Sequence, residues 1–338
     1  MSDSKEMLSE TETEDQVRRE SRTVAESRWK TGLGFLRRYA VLVMFVALFL
    51  ALSVSADSFL TSQNLFNIAA QNAPLAIIAV AGTLVIIAGG FDLSTGSIFG
   101  VASVTAAWVA VNVDPIVGLL SAPVVGVALG AVNGAIVTSL KVHSFLATLA
   151  TSLVFRGLAT LITGGFLISV AAESFTVIGR DAIGPVYYAV IILVIFALLV
   201  GLLLNRTVFG RHVFAVGGNS EAAELSGVRV NRIRLLTFAL SGLAAGIAGA
   251  VAVSRIGSGQ PTAGELMELE AIAAVILGGT SIYGGVGAVW RSVIGVYLLA
   301  LIDNGFNILN ANPFYKDLTT GLIIVLAVAL SAAEGKRR

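Results

Sequence analysis

Ten apolar stretches, each close to the length of a membrane span, recur along the chain and restrict its fold. A helix needs about 20 mostly apolar residues to cross a bilayer. Backbone amide and carbonyl groups within the hydrocarbon must bond to each other, and helices achieve this within a single segment. The sequence therefore predicts an all-α, polytopic transmembrane bundle with about ten spans. These lie near 39–56, 66–89, 96–112, 116–140, 144–163, 186–204, 235–254, 269–283, 286–303 and 317–333.

The composition narrows the chemistry that such a bundle can perform. Hydrophobic residues make up 56% of the 338 residues and charged residues 13%, and the mean hydropathy is +0.88. Cysteine is absent, and the two histidines, His143 and His212, are too few for a histidine metal cluster. We therefore expect no metal, no catalytic residue and no cofactor bound by this chain. The net charge of +1 gives no indication of a nucleic-acid partner.

Charged residues divide the chain and indicate its orientation. Residues 1–34 are rich in Glu and Arg, so we expect a disordered cytoplasmic tail, followed by a transmembrane domain over 35–335. Basic residues cluster at 37–38, 206–234 and 336–338, which all fall on one side of a ten-span topology. Because Lys and Arg favour cytoplasmic loops, we expect both termini in the cytoplasm. The external loops would be 164–185, 255–268 and 304–316.

Two apolar segments are interrupted in similar ways by glycine pairs and polar residues. They are IIAGGFDLSTGSIFGVASV at 86–104 and ILGGTSIYGGVGAVWRSV at 276–293. Glycine-interrupted segments at corresponding places in two halves indicate duplicated bundles with broken helices around a transport path. The alternative is that both are ordinary loops between consecutive spans, with glycines ending the helices.

A polar segment at 205–234 lies between two membrane-length apolar stretches, and its core is EAAELSG at 221–227. Asn and Ser can cap a helix, carboxylates suit its first turn, and glycine can end it in a left-handed conformation. We expect a short cytoplasmic helix that a partner protein contacts; the alternative is a solvated linker. The residues concerned are Asn219, Ser220, Glu221, Ala222, Ala223, Glu224, Leu225 and Gly227.

EAAELSG keeps the Glu-Ala-Ala, three residues, Gly order of the cytoplasmic loop of ABC-importer permeases. The chain from about 35 to 335 resembles the ribose, xylose and galactose type of sugar permease. The Ile-x-Leu-Pro ending of the longer loop motif of ABC permeases is missing here. The segments that carry the resemblance are NLFNIAAQNAPLAIIAVAGTLVIIAGGFDLSTGSI at 64–98, KVHSFLATLAT at 141–151, FAVGGNSEAAELSGVRV at 214–230 and ELEAIAAVILGGTSIYGGVGAVW at 268–290.

The resemblance implies a permease subunit in the bacterial plasma membrane, in contact with membrane lipid. A solute-binding protein outside the cell would deliver a sugar, and a second permease subunit would complete a homodimer. Separate ABC ATPase subunits would dock on the 205–234 loop and bind ATP and Mg²⁺. The chain itself has no Walker A motif, because no lysine follows the required glycine spacing.

Two further readings stay open from the sequence. An ion-coupled secondary transporter would also contain repeated broken helices and would use intramembrane carboxylates. Related ABC permeases carry nucleosides or branched-chain amino acids. A membrane enzyme is disfavoured, because no carboxylates or histidines cluster in loops where a catalytic site could assemble.

Polar residues within the spans are candidates for the transport path, since burying them in hydrocarbon is costly. Asp92 either lines the path or caps the following helix. Arg156 contacts substrate or pairs within the bundle, with Asp92 or Asp303 as suggested partners. Neutral hydrogen-bonding groups suit a sugar. The candidates are Asn72, Asp92, Ser94, Ser97, Asn133, Arg156, Asp303 and Asn307.

Overall fold

A computed structural model describes residues 40–312 and, beyond them, 315, 318, 319, 321, 322 and 325. The predicted tail at 1–34 lies outside the described residues. Two pairs of two-residue strands run antiparallel, β1 (Ile168–Ser169) with β4 (Ser258–Gly259) and β2 (Ala182–Ile183) with β3 (Val186–Tyr187). The helices of 40–312 are α1 (Ala40–Ser55), α2 (Ser62–Ile87), α3 (Thr95–Asn112), α4 (Pro115–Ser139), α5 (Ser144–Thr163), α6 (Glu173–Arg180), α7 (Tyr188–Arg206), α8 (Val208–Gly218), α9 (Ser220–Leu225), α10 (Val230–Ile256), α11 (Met267–Leu277) and α12 (Val289–Ile308).

The all-α transmembrane bundle is confirmed, but the count of ten spans is not. Within the described residues, seven helices are long and apolar enough to cross a membrane, namely α2, α3, α4, α5, α7, α10 and α12. Helix α1 is apolar but has only 16 residues. The predicted span at 269–283 is wrong, because α11 has 11 residues and a length of about 16 Å, half the thickness of the hydrocarbon. The span predicted at 317–333 falls largely outside the described residues.

Both glycine-interrupted segments contain helix-ending turns, as the alternative reading predicted. After α2, Gly89 N–H donates to Ile86 O and Gly90 N–H to Val85 O. After α11, Gly279 donates to Ile276 and Thr280 to Val275, so the same pattern recurs 190 residues later in the chain. Both turns have the hydrogen bonds of a Schellman motif, with glycine in the left-handed conformation (φ 80° at each). The shared pattern supports a duplicated arrangement.

The broken span lies elsewhere, before α11. Residues 257–266, a two-residue strand followed by consecutive turns, run back along α3: Gly259 packs against Ser103 and Val104, and Gly264 packs against Gly96. Helix α11 then continues toward the side of the bundle where α10 begins. The second half of the segment predicted as an external loop at 255–268 thus packs along α3, because glycines on both sides let the two backbones approach closely.

Helices α4 and α10 make a close crossing through glycines spaced four residues apart. A methyl group on Gly242 would overlap the carbonyl oxygen of Gly126, and one on Gly126 would overlap the carbonyl oxygen of Gly242. Gly130 and Gly246 extend the contact on either side. Small residues at this spacing allow two membrane helices to approach backbone to backbone.

Burial differs sharply between the spans. The most apolar part of α2 is 83% buried and that of α3 is 72% buried, while the value for α5 is only 22%. Helices α2, α3 and α10 therefore form the centre of the bundle. The outward faces of α4, α5 and α7 carry large apolar side chains such as Leu153, Leu161 and Leu198, as surfaces in contact with lipid or another subunit require.

Candidate functional site

The polar segment between α7 and α10 folds into two short helices, α8 and α9. The Asn219 side chain accepts a hydrogen bond from the N–H of Ala222 (2.9 Å), which confirms it as the N-cap of α9. Gly227 has φ +86°, the left-handed conformation expected after the helix. Ala223 is buried, whereas Leu225 is 85% exposed. The exposed face of α9 also includes Glu221, Ala222 and Glu224, while Ser220 is half-buried.

Helix α8 connects this exposed element to the transmembrane core through a set of backbone contacts that we call the glycine junction, formed by Ile87, Gly89, Gly217, Gly284 and Gly285. Gly285 N–H donates to the carbonyl of Ile87 at the end of α2 (2.8 Å). A methyl group on Gly217 would overlap the same carbonyl oxygen, and one on Gly284 would lie 3.2 Å from the Cα of Gly89. Three segments therefore meet without intervening side chains.

Four of the path candidates form a buried polar cluster where the 88–94 turn meets α3 and α4. One Asp92 oxygen accepts hydrogen bonds from the N–H and the hydroxyl of Ser94. Asn133 on α4 donates to the Ser94 hydroxyl (2.6 Å), and Ser97 donates to the Ser94 carbonyl. Ser241 on α10 lies beside the carboxylate. All five side chains are buried, so in this conformation the cluster is packed rather than open.

The second Asp92 oxygen has no hydrogen-bond partner within the part of the chain that the structure describes. It lines a small cavity together with Gly82, Thr95 and Glu268. A methyl group on Gly82 would meet no atom within 4 Å, so α2 leaves open space there. One oxygen of Glu268 is likewise buried without a partner among the described residues.

Arg156 contacts backbone carbonyls in place of the suggested carboxylates. Its Nη1 donates to the carbonyls of Pro261 (2.9 Å) and Ala263 (2.7 Å), both in the turns before α11. These carbonyls lie outside any helix, and the guanidinium supplies the donors that a helix would otherwise provide. The sequence could not identify these partners, because hydropathy does not show which side chain a turn packs against.

The remaining candidates lie toward the opposite end of α2 and α12, away from the buried cluster. Asn72 is half-buried and donates to the Ile68 carbonyl within its own helix. Asp303 is half-buried and Asn307 exposed, both on the last turns of α12. The eight candidates therefore occupy three separate places: the buried cluster, the Arg156 contact and this end of α12.

A larger cavity of about 530 Å³ opens beside α9. It is lined by Lys141 and His143 from the turn between α4 and α5, by Arg234 from α10 and by Glu224 from α9. Helix α9, the α4–α5 turn and the end of α2 therefore surround one shared space. Among the described residues, no three His, Asp or Glu side chains come together as a metal site would need.

Two features of the site were missed at the sequence level. The glycine junction was one, although the Gly217–Gly218 pair directly before the capped helix α9 is an available signal for close backbone contact. The exposed carboxylate of Glu265 was the other. It was assigned to an external loop, and only the path of residues 257–266 along α3 shows that its neighbour Gly264 packs against Gly96.

Comparison with known proteins agrees with this architecture. Residues 64–328 match the family described as branched-chain amino acid transport system / permease component. The ribose import permease protein RbsC of Escherichia coli K12 is 38% identical over 91% of this chain and 97% of its own length. No solved structure matches the chain significantly.

Other relatives are named for different sugars. The L-arabinose transport system permease protein AraH of Escherichia coli K12 is 36% identical, over 89% of this chain and 92% of its own length. The xylose transport system permease protein XylH of the same strain is 33% identical, over 89% of this chain and 93% of its own length. With the fold, the capped helix α9 and these matches, the chain belongs to the bacterial import permease family of transport-system permease components, as a multi-pass membrane subunit and not an enzyme.

Proposed function

We propose that this chain forms the membrane path of an ATP-driven importer for a monosaccharide, a pentose or a hexose, or for a polyol. The observation that carries the proposal is the similarity over about nine-tenths of the chain to permeases named for ribose, arabinose and xylose. A polar lining suits such solutes, since their hydroxyls need groups that donate or accept hydrogen bonds. The eight polar candidates at the buried cluster, at Arg156 and near the end of α12 remain our candidates for that lining.

Helix α9 is the proposed contact for the ATPase. It offers an exposed leucine, two exposed carboxylates and a closely approachable alanine, on a helix held at both ends by Asn219 and Gly227. A partner can shift a permease only by contacting its two states differently. The glycine junction supports this role, because movement of α8 reaches α2 and the 278–288 loop through backbone contact.

The proposed assembly follows from the family. Two copies of the chain form a homodimer, two ATPase subunits bind ATP and Mg²⁺, and a solute-binding protein delivers the sugar from outside. The proposed location is the bacterial inner membrane, with both termini in the cytoplasm. Five arginines between 206 and 234 flank α8 and α9, which supports the cytoplasmic placement of that side.

Reconstitution in vesicles tests the proposal. We expect uptake of radiolabelled ribose, arabinose or xylose only when the ATPase, the binding protein and ATP are all present. Uptake by the permease alone under an ion gradient would instead establish a secondary transporter. ATP-dependent uptake of a nucleoside or a branched-chain amino acid, and of no sugar, would reassign the substrate.

Variants of α9 test the coupling role. Glu221→Lys, or Gly227→Leu in the left-handed position, should reduce ATP-driven uptake at least tenfold while the permease still inserts and folds. Glu173→Lys, an exposed carboxylate on the opposite face in α6, is the matched control and should transport normally. Normal uptake by both α9 variants would show that the ATPase docks elsewhere.

A further inference from the structure

The segment of turns before α11, residues 257–266, is the least expected backbone in the molecule. It starts beyond the end of α10, on the side opposite to α9, and descends along α3 to Gly264, which packs against Gly96. Gly96 is 16 residues from the end of α3 at Asn112, a rise of about 24 Å. The hydrocarbon core is about 30 Å thick, so Gly264 lies well within it.

Non-helical backbone is tolerated at this depth only where protein covers it or where it lines a water-filled cavity. One side of the segment is covered: glycines of α3 pack against it and Arg156 binds its carbonyls. The other side is open. Thr262, Glu265 and Leu266 are all exposed.

Glu265 decides what the open side faces. An ionisable side chain at bilayer depth faces a water-filled cavity or the interior of a bundle, because exposure to lipid is too costly. Glu265 directly follows Gly264, which packs against Gly96 of α3. An exposed carboxylate here therefore indicates water, and lipid is excluded as its surroundings.

Backbone strain occurs at the same place. Leu266 has φ +63°, a left-handed conformation that is uncommon for a large residue, and its side chain is 60% exposed. Strained conformations of this kind concentrate at functional sites, where surrounding contacts hold them. Here the Arg156 hydrogen bonds and the start of α11 hold the segment on either side of the strained residue.

We propose that residues 262–266 line the aqueous sugar path, and that the Glu265 carboxylate accepts hydrogen bonds from the hydroxyls of the passing monosaccharide. The proposal rests on the proposed import function and names the place where the solute meets the protein. Thr262 adds a second hydroxyl-binding group. Arg156 holds the segment in place through the carbonyls of Pro261 and Ala263.

The chain contains no cysteine, so single cysteines are unique labelling sites. Thr262→Cys and Glu265→Cys would be treated, in membranes holding the full transporter, with the charged reagent methanethiosulfonate ethyltrimethylammonium. We expect both to be modified at least tenfold faster than Leu198→Cys, an exposed residue on the outward face of α7. Ile183→Cys, exposed in the β2–β3 hairpin, is the accessible control.

Labelling needs neither sugar nor transport, so it separates this inference from the import function. The inference would be overturned if the cysteines at 262 and 265 were modified no faster than the cysteine at 198, both without nucleotide and with a trapped ATP analogue. A second copy of the chain that covers the segment would give the same slow modification and would equally contradict the inference. Modification that leaves uptake unchanged would show a water-filled crevice that is not the path. If the unmodified wild-type permease took up no sugar in the presence of all its partners, the import function would be overturned instead.

A second pair of variants tests the hydrogen bond. Glu265→Gln keeps an acceptor and should retain at least half of the uptake, whereas Glu265→Leu should lose at least tenfold. Glu173→Leu, which removes an exposed carboxylate on α6, should transport normally. Normal uptake by Glu265→Leu would remove Glu265 from the path.

Discussion

Asp92 shows how a single carboxylate is accommodated at the centre of an apolar bundle. It is 5% exposed, and its bonded oxygen holds the N–H and hydroxyl of Ser94 at the start of α3. The Ser94 hydroxyl in turn accepts a hydrogen bond from the Asn133 side chain, so Ser94 links the 88–94 turn to α4. The sequence predicted that Asp92 would either line the path or cap α3. The structure shows it bound to Ser94, the N-cap residue of that helix.

Substitution of Asp92 separates the hydrogen bonds from the charge. Asp92→Ala leaves the Ser94 donors unsatisfied and should lower the free energy of unfolding by about 1–3 kcal/mol. Asp92→Asn keeps the acceptor, and its amide can donate to the Ser241 hydroxyl, so we expect a stability equal to or above that of wild type. Thermal unfolding of the purified protein in detergent measures both. Equal destabilisation by the two variants would show that the negative charge itself is needed.

At the scale of elements, the crossing of α4 and α10 depends on the absence of side chains. Gly126 and Gly242 each occupy the position where the other helix's backbone passes. Membrane helices gain little from excluding water, so close packing and weak contacts between backbones must supply the attraction. Separating these two helices by the width of a methyl group therefore removes much of their contact.

Two glycine-to-alanine substitutions make a matched test of this crossing. Gly242→Ala adds a methyl group that overlaps the Gly126 carbonyl, and we expect a loss of about 1–3 kcal/mol of stability from overpacking. Gly201→Ala, on α7, meets no atom within 4 Å and should be neutral or stabilising by up to about 1 kcal/mol, because alanine favours the helix. The thermal midpoints of the two variants, measured side by side, should move in opposite directions or differ by several degrees. Coinciding midpoints would contradict the close crossing.

The elements show where sequence reasoning succeeded and where it could not. Helices with long apolar runs were predicted because length and hydropathy are local properties. The span at 269–283 was wrong because a hydropathy window counts apolar residues on both sides of the turn at Gly279 as one segment. A loop before α11 was predicted at 255–268, but its packing along α3 carried no local signal, since it depends on distant partners, above all Arg156 and the glycines of α3.

At the scale of the whole molecule, both glycine-interrupted stretches contain a Schellman turn, but only the first turn follows a long continuous helix. Helix α2 runs unbroken for 26 residues before its Schellman turn, whereas the stretch before the turn at Gly279 consists of the 257–266 turns and the 11-residue helix α11. The stretch before the first turn is almost entirely buried, and the stretch before the second exposes Thr262, Glu265 and Leu266. The second stretch is therefore the more exposed of the two.

The orientation of the whole molecule can be measured with the same cysteine-free chain. Val113→Cys, in the short turn between α3 and α4, should react with a membrane-impermeant maleimide in intact cells, because the basic residues place the opposite side in the cytoplasm. Leu140→Cys, at the other end of α4, should react only after the cells are permeabilised. Both residues are exposed, so accessibility of the side chain does not limit either reaction. The reverse pattern would invert the topology and move α9 away from ATP.

The glycine junction has a genetic consequence. Every missense change that a single base can make in a glycine codon introduces a residue with a side-chain carbon, and at Gly217 that carbon would overlap the Ile87 carbonyl. No single-base missense change at Gly217 is therefore sterically neutral, unlike at Gly201, where the added carbon meets no atom within 4 Å. A saturation library selected for growth on the transported sugar should be depleted at Gly217 even of alanine and serine. The glycine junction can therefore change in evolution only if a substitution at Gly217 is accompanied by compensating substitutions in the segments it contacts.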